Sequence, residues 1–143
     1  MVYVDHGFVQ TLQGTNGKGV FQGDVAGTLN YCGPEMLLKQ DYKGRDVDIF
    51  SLGVNLFLLM TRMPPWRYAV RNDPYYKYIL ADQIDMFWKK QTDRMRKEDD
   101  PSYEFDPDFK DLFLQMTTPN PQERIKLCDI IGHPWVTKNC ASD

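Results

Sequence analysis

A carboxylate set into an apolar helix is the first residue of this chain whose chemistry needs an explanation. Residues 46–62 form the most apolar long run of the sequence, and Asp48 stands near its start. Because an unpaired buried carboxylate is costly, a buried Asp48 would have to accept hydrogen bonds from nearby donors. The simpler interpretation is a first-turn acid stabilised by the positive end of the helix dipole. The residues alone leave both interpretations open.

The thiols do not suggest a metal or disulfide site. The 3 cysteines are Cys32, Cys128 and Cys140, which are widely spaced and form no Cys-x-x-Cys pair. An odd number at such spacing is typical of reduced thiols rather than of a zinc site or a disulfide framework. The N-terminus also carries Asp5 and His6 before any apolar run, which argues against a secretory signal. We therefore expect a cytoplasmic protein.

Charge and composition exclude several classes of protein. The chain has 17 basic and 20 acidic residues and a net charge of −3, with no dense Lys/Arg stripe. This balance predicts neither a nucleic-acid interface nor binding to a membrane surface. With 143 residues, of which 42% are hydrophobic, the chain can form one globular domain with its own core.

The helical patterns have to position whatever site exists. Residues 46–62 are apolar on every side of a helical wheel, which predicts a helix buried all round with the rest of the chain packed about it. Residues 8–27 contain too many glycines for a helix or a regular strand and predict a long loop, either functional or merely flexible. Other predicted elements are a strand at 1–4, a short helix from Pro34, a helical pattern from Asp73 to Trp88, a solvated segment or frayed helix end at 89–102, and helices at 106–116 and 125–131. The sequence therefore predicts a mainly α fold with five or six helices.

Six short segments in order resemble the second half of the eukaryotic protein kinase domain. They are Asp5-His6-Gly7, Gly27-Thr28-x-x-Tyr31-x-Gly33-Pro34-Glu35, Asp48 to Val54, Pro64-Pro65-Trp66, Pro121 with Arg124, and His133-Pro134-Trp135. Thr28 is the threonine that marks the family's serine/threonine branch. Residues 73–77, 87–88 and 133–135 look most like the calcium/calmodulin-dependent group.

The resemblance implies a fold and its subdivision. It implies the C-terminal helical lobe of the protein-kinase-like fold, truncated before the activation segment, with a partial kinase domain at 1–136 and a tail at 137–143. Within that domain, 1–35 would be the activation segment and 36–136 the helical subdomain.

The resemblance also assigns roles to residues of the activation segment. Asp5 would hold the magnesium ion that bridges the phosphates of ATP. Thr11, Thr15 and Thr28 would be the hydroxyls of the activation loop, and Thr28 would contact the substrate and the catalytic loop. The pocket for the substrate residue after the phosphoacceptor would be formed by Leu29, Asn30, Tyr31 and Cys32.

Three further residues would have structural roles by the same resemblance. Glu35 and Arg124 would form the family's internal ion pair, whose planar guanidinium suits a bidentate carboxylate. Asp48 would accept backbone hydrogen bonds from the catalytic loop, which now favours a structural clamp over the simpler dipole interpretation.

The departures from the family pattern concern the catalytic parts. The 143 residues contain no Gly-rich phosphate loop, no strand lysine with its glutamate partner, and no His-Arg-Asp-x-x-x-x-Asn motif. His6 replaces the usual Phe, and Arg62 replaces the glycine that usually follows the central helix. We therefore expect this chain alone to bind ATP weakly or not at all and to transfer no phosphate.

Three functions remain open at this point. The first is a C-terminal fragment of a serine/threonine kinase, whose parent would use ATP and magnesium and whose partners would be a protein substrate or the missing N-terminal lobe. The second is a non-catalytic kinase-like lobe that acts as a protein-interaction module. The third, an unrelated helical module, is disfavoured by the ordered series of motifs.

Overall fold

A mainly helical architecture is present in the computed structural model, which describes residues 11, 13–14, 18–23, 25, 27–96 and 101–140. Its elements are β1 (Val20–Phe21), a 3-10 turn (Leu29–Tyr31), α1 (Pro34–Leu37), β2 (Tyr42–Lys43), α2 (Gly44–Thr61), α3 (Tyr76–Leu80), α4 (Ile84–Met95), α5 (Pro107–Met116), α6 (Leu127–Ile131) and α7 (Pro134–Cys140). The predicted mainly α fold is confirmed. The strand predicted at 1–4 lies outside the described residues.

The two strands were not predicted. β1 and β2 pair in antiparallel fashion, with Val20 opposite Lys43 and Phe21 opposite Tyr42. The rings of Phe21 and Tyr42 stack with their centroids 5.4 Å apart. Strands of two residues show no alternating pattern in a sequence, and β1 lies within the glycine-rich segment, so periodicity could not reveal them.

The core is built on one side of α2. Phe57 lies 5.0 Å from Phe113 and 6.1 Å from Phe109 between ring centroids, which joins α2 to α5. Trp66, which is only 1% exposed, packs 5.9 Å from Phe50 and 4.7 Å from Tyr76. Aromatic side chains bury large areas and favour these tilted and edge-on arrangements. The contacts fix α2, the loop after it, α3 and α5 around one aromatic cluster.

The prediction that α2 is buried on every side is wrong. Leu52, Leu59 and Met60 are 48%, 79% and 49% exposed, respectively. Their spacing of seven and eight residues places them on one face of the helix. The helical wheel records which side chains are apolar, whereas burial depends on whether a neighbouring element covers them. Among the described residues, this face has no such cover.

The helical pattern from Asp73 to Trp88 is two helices rather than one. The chain breaks between α3 and α4 at residues 81–83, where Asp82 has a positive φ of 54°. The apolar spacing continues across this break, so periodicity alone suggested continuity. The segment at 89–102, predicted to be a solvated loop or a frayed helix end, is corrected in its first part, because α4 runs to Met95 and buries Gln91 and Thr92.

The ends of α2 and α5 follow local chemistry. Asp106 accepts a hydrogen bond from the backbone N–H of Phe109 at 3.0 Å and so caps α5, as its sequence position predicts. Arg62 ends α2 in the left-handed conformation with φ of 60°. Glycine adopts that conformation without steric penalty, whereas Arg62 has a side chain. The backbone conformation at this helix end is therefore strained.

A buried ion pair connects the beginning of the helical region to its end. Arg124 donates from Nη1 to Glu35 Oε1 at 2.7 Å and from Nη2 to Oε2 at 3.1 Å. Nη1 also donates to the carbonyl of Asp46 at 2.6 Å, and Nε donates to the carbonyl of Thr118 at 3.0 Å. The guanidinium lies 5.0 Å from the ring centroid of Phe50. One side chain thus holds α1, the start of α2 and the loop after α5.

Replacing Glu35 with alanine should destabilise the fold strongly. Glu35 and Arg124 are 3% and 2% exposed, so Glu35→Ala leaves a buried guanidinium without its carboxylate. The expected loss is about 3–5 kcal/mol in the free energy of unfolding, measured by urea denaturation. The control is Glu104→Ala, which removes a surface partner of Arg96 and should cost about 1 kcal/mol or less. Equal small losses in both variants would contradict a structural role for the buried pair.

Candidate functional site

The four residues predicted to form a substrate pocket lie on a turn that two hydrogen bonds anchor. Ser51 in α2 donates from Oγ to the carbonyl of Tyr31 at 2.9 Å. Asn30 donates from Nδ2 to the carbonyl of Arg67 at 3.0 Å. The first bond ties the turn to the central helix and the second ties it to the loop that follows this helix. The position of the turn therefore depends on α2.

These four residues differ in their access to solvent. Leu29 is 44% exposed, and Asn30 is partly exposed. Tyr31 packs against the aromatic core, and Cys32 is 3% exposed. Burial, and secondarily the neighbouring Glu35 carboxylate, raises the pKa of the Cys32 thiol, which keeps it neutral and unreactive. Leu29, Asn30 and the exposed part of Tyr31 can thus be reached by a bound molecule, whereas Cys32 cannot.

The predicted activation-loop hydroxyls are placed only in part. Thr11 and Thr28 are exposed, whereas Asp5 and Thr15 lie outside the described residues. Gly27, just before Thr28, has φ of 101°, a conformation that side-chain-bearing residues rarely adopt. This glycine sets the direction in which the chain enters the turn at Leu29.

Asp48 lies on the same side of α2 as the exposed Leu52 and Leu59, and we call this side the open face of α2. Asp48 is exposed, and its carboxylate has no hydrogen-bond partner among the described residues. It lines a groove of about 970 Å³ together with Ile49, Leu52 and Leu127. Partial desolvation in this groove raises the pKa of the Asp48 carboxyl above its ordinary value. Its predicted role as an acceptor for a catalytic loop stays a prediction.

The described residues hold no complete catalytic or metal centre. Within 27–96, 101–140 and the shorter described stretches, no group of three or more His, Cys, Asp or Glu residues could hold a metal ion. The predicted magnesium ligand, Asp5, lies outside these ranges. What the described site can do is present an accessible turn, held by α2, to another molecule.

Sequence reasoning predicted only part of the role of Asp73, a residue that shapes this surface. Asp73, 5% exposed, accepts from the backbone N–H groups of Arg67 and Tyr68 through Oδ2 at 2.9 and 3.2 Å. Its Oδ1 accepts from Tyr75 and Tyr76 at 2.9 Å each. The Asp-Pro pair predicted a helix cap, but the two bonds to the preceding loop carry no local sequence signal.

In the part of the chain that the structure describes, the helices are too short or too polar to cross a membrane.

Comparison with known proteins gives consistent matches across most of the chain. Residues 3–136 match the family described as the protein kinase domain. Calcium-dependent protein kinase 19 of Oryza sativa subsp. japonica is 30% identical over 126 residues, which are 88% of this chain and 21% of that protein. The calcium/calmodulin-dependent protein kinase type II alpha chain of Drosophila melanogaster is 35% identical over 78% of this chain and 18% of its own length. An Aurora kinase of Saccharomyces cerevisiae is 33% identical over 80% of this chain and 27% of its own.

The chain thus spans about a fifth to a quarter of the length of these relatives. The family match covers far more than half of the chain, the relatives are calcium-dependent, calcium/calmodulin-dependent and Aurora kinases by name, and the fold is the helical one that the resemblance implied. This chain belongs to the protein kinase family.

Proposed function

We propose that this chain is the substrate-facing helical lobe of a cytoplasmic protein serine/threonine kinase, and that it catalyses phosphate transfer only together with further kinase residues. The observation that carries the proposal is the open face of α2, where Leu52, Leu59 and Asp48 are exposed on the central helix of the domain. A central helix that leaves a large apolar stripe exposed is typical of a surface that another element covers.

The chemistry of the face supports the same conclusion. An apolar stripe alone would suit any hydrophobic partner, but Asp48 adds a carboxylate without a hydrogen-bond partner in the described structure. A segment with free backbone N–H groups, such as a tight loop, would supply the donors that this carboxylate lacks. The catalytic loop of the kinase family fits this description, as the resemblance of the sequence implies.

The roles of residues in the proposed enzyme are those that the resemblance to the kinase family implies. Leu29 and Asn30 would contact the substrate segment, and Thr28 would lie beside its hydroxyl. ATP with magnesium would supply the phosphoryl group and neutralise its charge. Asp5 is the residue that would hold the metal.

The test of the proposal is the size and activity of the native protein. Source-cell lysate is blotted with an antibody raised against residues 89–143, and the precipitated protein is assayed for transfer of labelled γ-phosphate to a mixed serine/threonine substrate. We expect a band well above the 16.7 kDa of this chain and measurable transfer. The recombinant 143-residue chain, assayed beside it, should transfer no phosphate.

Substitutions in the native-length protein make the test specific. Asp5→Asn should lower transfer by about 10²-fold or more, the scale for loss of one preorganised electrostatic group. Asp41→Asn makes the same chemical change at an exposed carboxylate outside the site and should leave the activity unchanged. A band at 16.7 kDa without kinase activity would overturn the proposal in favour of a non-catalytic interaction module.

The open face also predicts a pH-dependent effect in the isolated chain. Because the folded chain raises the pKa of Asp48, the ionised carboxylate destabilises the fold at neutral pH. Asp48→Asn should therefore raise the melting temperature at pH 7. This advantage should shrink as the pH falls through the raised pKa of Asp48 in the folded chain and should vanish below about 4, the ordinary pKa of aspartate, where Asp48 is protonated in both states.

The matched control for this measurement is again Asp41→Asn, which should leave the melting temperature nearly constant. In the native-length kinase the sign should reverse, because there the carboxylate would accept hydrogen bonds that asparagine only partly replaces. Destabilisation of the isolated chain by Asp48→Asn at pH 7 would contradict the proposed open face.

A further inference from the structure

A second groove, which shares no lining residue with the groove at Asp48, lies at the junction of α3 and α4. It has a volume of about 680 Å³. Its lining residues are two basic side chains, one aromatic ring, two apolar side chains and one amide: Arg71, Lys77, Tyr78, Leu80, Ala81 and Gln83. Arg71 and Lys77 are exposed, and neither forms an ion pair or a side-chain hydrogen bond in the described structure.

Two of the six residues that line this groove are basic, and none of the six is acidic. Residues 62–81 contain the basic residues Arg62, Arg67, Arg71 and Lys77 and the single acidic residue Asp73, within a chain of net charge −3. The Asp73 carboxylate is buried and occupied by four backbone N–H groups. It therefore offers no partner to these cations. Asp82 and Asp85 are exposed on the α4 side and bound the basic region there.

Hydrogen bonds fix the backbone close to this groove. The same four hydrogen bonds of Asp73 hold the loop at 67–68 against the start of α3. The guanidinium of Arg67 lies 5.3 Å from the ring centroid of Tyr68, and the ammonium of Lys77 lies 5.1 Å from that of Tyr78. The contact with Tyr78 restricts the Lys77 ammonium, so less conformational entropy is lost when a ligand binds Lys77.

We propose that this groove docks an acidic segment of another protein. Carboxylates of that segment would pair with Arg71 and Lys77, and an apolar side chain between them would pack on Leu80, which is 44% exposed. Unpaired cations beside exposed apolar surface complement such a segment in both charge and hydrophobicity. A nucleic acid is a poorer fit, because the groove offers two cations rather than a continuous basic stripe and includes the exposed apolar Leu80.

The groove is linked to the substrate-facing turn. Arg67, in the same basic loop, accepts at its carbonyl the 3.0 Å hydrogen bond from Asn30. A protein held at Leu29 and Asn30 would therefore lie beside the basic surface and could place an acidic segment in the groove. Binding at the groove does not require catalysis, so it is testable whether or not the native protein is an active kinase.

The test is fluorescence anisotropy with the full 143-residue chain and a labelled peptide of alternating Glu and Ser around a central Leu. The peptide should bind, and its affinity should fall as the salt concentration rises. A matched peptide with Gln in place of Glu should not bind. Peptide binding that is insensitive to salt, or equal for the two peptides, would overturn the proposal.

Paired variants locate the binding site. Arg71→Glu with Lys77→Glu should weaken binding about tenfold or more, whereas Arg71→Lys with Lys77→Arg should retain it. The control is Lys89→Glu with Lys90→Glu, which makes the same charge change on exposed residues of α4 outside the groove and should leave the affinity nearly unchanged.

Two results of this comparison would contradict the inference. Equal weakening by both charge-reversing pairs would mean that the chain attracts acidic peptides through its overall charge. Tighter binding of a single-stranded DNA oligonucleotide, lost in the same variants, would assign the groove to nucleic acid instead. Thermal unfolding of each variant identifies any loss of binding that is due to loss of the fold.

Discussion

The ion pair between Glu35 and Arg124 is the constraint on which the arrangement of this lobe depends. It joins residues 89 positions apart, and Arg124 also donates to the carbonyls of Asp46 and Thr118. A guanidinium can be buried away from water only where nearly all of its N–H groups donate to acceptors in the protein. The guanidinium of Arg124 meets that condition. Because Asp46 is in the first turn of α2, the same side chain sets where the central helix begins.

From this fixed start, α2 serves two surfaces with different chemistry. Its inner side carries Phe50, Val54 and Phe57 into the aromatic core, while Ser51 holds the turn that carries Leu29 and Asn30. Its outer side presents Asp48 and an apolar stripe. A displacement of α2 would therefore alter the substrate-facing turn and the open face together. This coupling explains why one helix can position residues that are distant in the sequence.

The sequence predicted the features that depend on local or strongly patterned signals. The Asp106-Pro107 start of α5, the extent of α2 and the mainly helical class were all readable from caps, prolines and periodicity. The break between α3 and α4 was not, because apolar spacing continues through Asp82 and only its backbone angle marks the turn. The exposure of Leu59 was misjudged because hydrophobicity describes a residue and not its neighbours.

The site shows the same division between local and long-range information. Glu35 and Arg124 were paired through the resemblance to a family, since a separation of 89 residues has no periodic signal of its own. The bonds from Asp73 to the loop at 67–68 had no such guide and appeared only in three dimensions. The single acid of residues 62–81 is thus buried, and Arg71 and Lys77 have no ion-pair partner among the described residues. The buried polar contacts that hold the fold thus also determine which charges remain for partners, and net charge alone could not have located them.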